Sequence, residues 1–160
     1  MKHTLSVLVE NKPGVLTRVA GLFARRGFNI DSLAVGESED PALSRMTITI
    51  DGAEQPIDQV TKQLHKLINV VKIRDLEPKG MVAGELLFVK VSAEGEKRTD
   101  VLQIAEIFRA KIVDVDRRVV TLRVVGTTDK LEALLELLKP LGVLEVVRTG
   151  TIAIGRGRGG

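Results

Sequence analysis

Cysteine, tryptophan and tyrosine are absent from this 160-residue chain, phenylalanine occurs four times and histidine twice. Without cysteine there is no disulfide, no thiolate metal ligand and no cysteine nucleophile, a usage in keeping with a reducing compartment. The scarcity of aromatic residues, with none in the alternating stretch Ser44–Ile50, also removes the platforms on which single-stranded nucleic-acid readers stack bases. No apolar run approaches the roughly 18 residues that span a bilayer. Met1-Lys2-His3 ahead of Leu5-Ser6-Val7-Leu8-Val9 is too short for a secretory leader, so a cytoplasmic location is expected. An excess of one charge is lacking too. The pI of about 9.3 comes largely from Arg156 and Arg158, outside which 22 basic residues face 21 acidic ones. The interspersed signs give no dense basic stripe for nucleic acid.

What is present is a repeated pattern. Leu5, Val7 and Val9 alternate as in a half-buried strand. Asn11-Lys12-Pro13-Gly14 then turns the chain into helical spacing at Val15, Leu16, Val19, Leu22 and Phe23. After Gly27 come an extended Phe28–Val35, an alternating Met46, Ile48, Ile50, a turn at Asp51-Gly52, a helix through Ile57, Val60, Leu64, Leu67 and Ile68, and a strand from Val70. The order is βαββαβ. Glu77-Pro78-Lys79-Gly80 interrupts it, and the series restarts: Leu87, Val89, Val91; Val101, Ile104, Ala105, Phe108; Ile112–Val115; Val119–Val125; Leu131–Leu138 ended by Pro140; Val143–Val147. The expected fold is α+β, two tandem ferredoxin-like domains, each an antiparallel sheet with helices on one face. The boundaries are set at 1–77 and 78–160, the latter ending in a frayed Gly155–Gly160 tail. Thr4, Ser6, Thr47 and Thr49 mark the other sheet face as polar. Units this small have slim stability margins, and self-association is expected.

Catalytic apparatus is hard to find. His3 and His65 read as surface residues. Asp114 with Asp116, and Glu37 with Glu39 and Asp40, could hold a cation, though strands and acidic loops produce such spacings freely. There is no nucleophile elbow and no phosphate loop. The loop Asn11-Lys12-Pro13-Gly14-Val15-Leu16 is more informative. It delivers the chain into a helix N-terminus, whose free N–H groups attract a carboxylate. Asn11, and Asn29 at the second strand, each offer an amide donor and acceptor to a free amino acid, and Val15, Leu16 and Ile30 could line an apolar pocket. The plainer alternative makes Asn11 a helix cap and Asn29 a solvated strand residue.

At these residues the chain closely resembles the regulatory (small) subunits of acetolactate synthase, also called acetohydroxyacid synthase, with their N-terminal ACT domain. The resemblance is carried by Leu5–Asn11 with Pro13–Leu16, Phe28–Leu33, Leu43–Ile48, Gln63–Leu67 and Glu106–Asp114. It implies a non-catalytic chain, without a cofactor of its own, that activates a catalytic large subunit carrying thiamine diphosphate, Mg and FAD in branched-chain amino acid synthesis. It further implies homodimerisation through the ACT domain and feedback by valine, with leucine or isoleucine as possible relatives. The implied effector contacts are Asn11, Gly14, Val15 and Leu16 of one chain and Asn29 and Ile30 of its partner. A stand-alone ACT-type amino-acid sensor acting on another enzyme or a transcription factor is the alternative.

Overall fold

The computed structural model describes residues 2–51 and 57–158. The turn expected at Asp51-Gly52 and the end of the tail, Gly159-Gly160, fall partly or wholly outside them. The first sheet comprises β1 (Lys2–Glu10), β2 (Ile30–Glu37), β3 (Leu43–Asp51) and β4 (Val70–Leu76), in the order β2-β3-β1-β4, with every pairing antiparallel. Helices α1 (Val15–Arg25) and α2 (Ile57–His65) complete the βαββαβ unit. The alternation is what builds it. Leu5 stands opposite Ile48 and Val7 opposite Met46, and these rows are buried with Val15, Val19, Leu22 and Phe23 of α1 and Val60 and Leu64 of α2.

The second unit repeats the order with β5 (Met81–Ser92), α3 (Lys97–Ile107), β6 (Lys111–Val115), β7 (Val119–Gly126), α4 (Thr128–Leu138) and β8 (Val143–Arg148). Its sheet runs β6-β7-β5-β8. Leu87 faces Val124, Val89 faces Leu122 and Val91 faces Val120, all buried with Val101 and Ala105 of α3 and Leu131, Leu134 and Leu138 of α4. Thr127 caps α4, its side chain accepting from the N–H of Lys130. At the other end Pro140 lies in a 3-10 turn, Lys139–Leu141, where its missing N–H ends the α-helical ladder.

Three expectations are corrected. Phe28 does not begin a strand: it is buried in the junction before β2, its ring edge-on to Phe23 at 6.3 Å between centroids. Ser6 and Thr47, on the face read as polar, are buried rather than solvated, and the Thr47 hydroxyl accepts from the N–H of Ala153 at 3.4 Å. That contact follows from the third difference. Residues from Thr151 onward return to the first unit with those up to Ala83, and Gly84–Gly150 form the second. The returning segment makes a ninth strand, β9 (Ile152–Gly155), and the N–H of Arg156 reaches the carbonyl of Gly80 at 2.9 Å, so Gly155 and Arg156 are anchored rather than frayed. A short strand with free backbone groups finds partners wherever a sheet edge offers them, and sequence spacing is blind to that.

Candidate functional site

β1 ends at Glu10, and the chain turns sharply, Lys12 donating its N–H to Glu10 at 3.0 Å and Val15 donating to Lys12 at 3.4 Å. Gly14 closes the turn with φ 84°. A Cβ there would meet nothing within 4 Å, so glycine answers a backbone demand and not a shortage of space. Helix α1 then starts with no capping side chain and no acid in its first turn. The N–H groups of Leu16 and Thr17 have no partner among the described residues, which leaves the positive end of the helix open to an anion. Val15 is buried in the core, whereas Leu16 is 44% exposed beside this end.

Asn11 is not a helix cap. Its N–H donates to Ala42 at 2.8 Å and its side-chain Nδ2 to the carbonyl of Pro41 at 3.2 Å, tying the loop to the hairpin between β2 and β3. A second set of residues, in which Arg18 and Asn69 were marked by no motif, braces the base of the loop. Lys12 Nζ lies 2.7 Å from Glu10 Oε2, and Arg18 Nη1 donates to Asn69 Oδ1 at 2.6 Å. The Lys12 ammonium, helped by Asn69, holds the Glu10 carboxyl below the usual carboxylate range. Asn69 stands just before β4 and lies 59 residues from Glu10, a separation in which no local signal survives.

Asn29 is exposed immediately before β2, with no partner for its amide among the described residues, and Ile30 is half-buried against the core. Within one chain these two do not meet the loop. Ile30 pairs with Ile50 at one end of β3, while Glu37 pairs with Ser44 and Glu10 with Leu43 at the other. At about 3.4 Å per residue that is a separation of about 24 Å along the sheet. β2 is, however, an outer strand of its sheet.

Several members of the alternative clusters are engaged in local contacts. Asp116 accepts from the N–H groups of Arg118 and Val119 at 2.8 Å each, bonds that lower its pKa. Glu39 pairs with Arg45 at 3.4 Å, Asp40 accepts from the N–H of Ala42 at 3.0 Å, and His3 Nδ1 is 3.3 Å from Asp75. Among the described residues no group of three or more His, Asp and Glu could hold a metal ion, and no helix is long and apolar enough to cross a membrane.

Two family models divide the chain between them: an acetohydroxyacid synthase small subunit-like ACT domain over residues 5–72, and the small subunit of acetolactate synthase over residues 84–157. The chain belongs to the acetolactate synthase small subunit family. It is 53% identical to the probable acetolactate synthase small subunit of Methanothermobacter thermautotrophicus over 97% of this chain and 93% of that one. With the acetolactate synthase small subunit of Mycobacterium leprae it shares 51% identity, covering 97% and 92% of the two chains. The crystal structure of the acetolactate synthase small subunit from Thermotoga maritima superposes with a TM-score of 0.91 at 44% identity, covering 99% of each chain. The ACT-domain match contains every residue from Asn11 to Ile30 considered above, and the loop and β2 are therefore parts of the family's ACT unit.

Proposed function

We propose that this chain is the regulatory subunit of acetolactate synthase: it binds and activates the thiamine-diphosphate-dependent catalytic subunit and makes it sensitive to valine. The bond-making chemistry, with thiamine diphosphate, Mg and FAD, belongs to that partner. Valine binds between two ACT units joined edge to edge through β2. Its carboxylate meets the open N–H groups at the start of α1 beside Gly14, its ammonium the side-chain oxygens of Asn11 and of Asn29 from the second copy, and its isopropyl group Leu16 and Ile30.

The observation that carries this reading is the separation of the two halves of the site. Ile30, with Asn29 immediately before it, begins an outer strand whose other end lies by the loop. Antiparallel pairing of β2 with its copy brings the start of one strand beside the end of the other, and so beside the loop of the second chain. A site completed by dimerisation gives the effector a way to favour one arrangement of the dimer. That differential affinity is the requirement for linkage to the catalytic subunit, and a coupling of about 1–3 kcal/mol corresponds to roughly 5- to 150-fold. Leucine and isoleucine differ from valine by one methylene, a discrimination of about 1–3 kcal/mol, and weaker cross-binding is expected.

The test has two arms. Calorimetric titration with valine is expected to saturate, and Asn29→His to abolish binding while the protein stays folded. Reconstitution with the catalytic subunit is expected to raise acetolactate formation, with valine inhibiting the native complex and not the Asn29→His complex. Full valine inhibition of that variant complex would remove the site assignment, and failure to stimulate any catalytic subunit would favour a stand-alone sensor.

A further inference from the structure

The second unit has an outer strand of its own, β6, whose charged side chains find no ion-pair partner among the described residues. All five residues of β6 are exposed, Ile112 and Val113 to 43% each and Val115 to 52%. An outer strand presents unpaired backbone donors and acceptors, and proteins commonly blunt it with proline or extra charge. β6 has no proline, and its charges are one lysine and one aspartate.

The placement of those charges is specific. A bulge between Ile112 and Asp114 sets Lys111 opposite Arg123 and Asp114 opposite Thr121. Arg123 and Thr121 in turn face Phe88 and Lys90, which alternate with the buried row Leu87, Val89 and Val91. Lys111 and Asp114 therefore stand on the same face of the sheet, the one turned away from its core, although their spacing alone would put them on opposite faces. Lys111, Arg123 and Asp114 form no ion pair among the described residues. Lys111 and Arg123 are moreover like charges directly across a strand pair, an arrangement that disfavours the sheet until an anion arrives. The opposite edge, β8, differs: Glu145 is paired with Lys90 at 3.4 Å and Arg148 with Glu85 and Glu132.

We propose that β6 is an interface for a second copy of this chain, pairing antiparallel with the same strand so that Lys111 of each copy faces Asp114 of the other. A two-fold axis between Ile112 and Val113 makes both ion pairs at once and sets Ile112 of each chain against Val113 of the other. The self-complementary charges favour this occupant over an unrelated strand, which has no reason to match both. Five residues bury far less than the roughly 800 Å² per partner of a stable interface. The β6 contact therefore strengthens association of the full chain and does not sustain it alone. It is independent of effector binding, and the variants below leave β2 untouched.

The chain contains no cysteine, which makes the test direct. Full-length protein carrying Lys111→Cys together with Asp114→Cys is expected to form a covalent dimer on mild oxidation, whereas each single variant, whose thiol faces a carboxylate or an ammonium, stays at background. Equal yields from the double and single variants would overturn the proposal. In sedimentation experiments Lys111→Glu is expected to raise the concentration needed for self-association by about fivefold or more, and adding Asp114→Lys to restore it. An unchanged association constant in folded Lys111→Glu protein would overturn it as well.

Discussion

The side-chain amide of Asn11 donates to the carbonyl of Pro41 at 3.2 Å, which ties the loop before α1 to the β2–β3 hairpin and leaves the amide oxygen without a partner among the described residues. A hydrogen bond to a charged group contributes about 1.5–3 kcal/mol, against about 0.5–1.5 for a neutral one. Asn11→Ala is accordingly expected to weaken valine binding by about tenfold or more while lowering stability by less than about 1.5 kcal/mol. Calorimetric titration and urea unfolding measure the two effects separately.

At Gly14 the strain is in the backbone and the surroundings are open. A side chain in the left-handed region costs about 1–2 kcal/mol, and Asn tolerates it better than Ala. Gly14→Ala is expected to lower unfolding free energy by that amount, and Gly14→Asn by less. An alanine variant as stable as the native chain would show that the turn relaxes to another conformation. Gly14→Asp adds a negative charge where the proposed site would receive the effector carboxylate, and is expected to lose valine binding without losing the fold.

Arg148 grips Glu85 at two points, Nε to Oε1 at 2.8 Å and Nη2 to Oε2 at 3.1 Å, while Thr128 donates to the same carboxylate at 3.1 Å. The Glu85 side chain is only 3% exposed. Removing one member of a buried pair costs about 3–5 kcal/mol. Glu85→Ala is expected near the low end of that range, because Arg148 is 29% exposed and keeps Glu132 at 2.6 Å. Thermal and denaturant unfolding of the variant check the size of the loss.

The same pair sets a pH dependence. Hydrogen bonding from Arg148, opposed by burial, holds the Glu85 pKa below its ordinary value of 4.5. A carboxylate lowered in the folded state adds stability that is fully present above the unfolded pKa and is lost as pH falls through the folded one. Stability is thus expected to be insensitive to this group from neutrality to about pH 5 and to decline below about 4.5. Glu85→Gln is expected to flatten that acid limb. An equally steep decline in the variant would assign the acid sensitivity to other carboxylates, such as Asp116.

Much of the fold was legible because period-2 and period-3.6 patterns are local. Leu5, Val7 and Val9, or Leu131, Leu134 and Leu138, declare their element and their buried face without reference to anything distant. Phe28 misled because a buried aromatic beside a strand reads like the strand itself. Of the site, Asn11 and Gly14 were visible from turn chemistry. The brace formed by Glu10, Lys12, Arg18 and Asn69 was not, since it joins a strand end, a helix turn and a junction far along the chain.

The sequence by itself determined two βαββαβ units, the rows that form each core and the loop that opens α1, since periodicity and turn residues act over a few positions. Tertiary structure alone decided that the segment from Thr151 returns to the first unit, that Thr47 is buried beneath it, and that Asn29 immediately precedes an outer strand, far from the loop of its own chain. Those outcomes depend on which backbone edges and faces meet once the chain has folded, and alternation along a strand gives its faces without naming its neighbour.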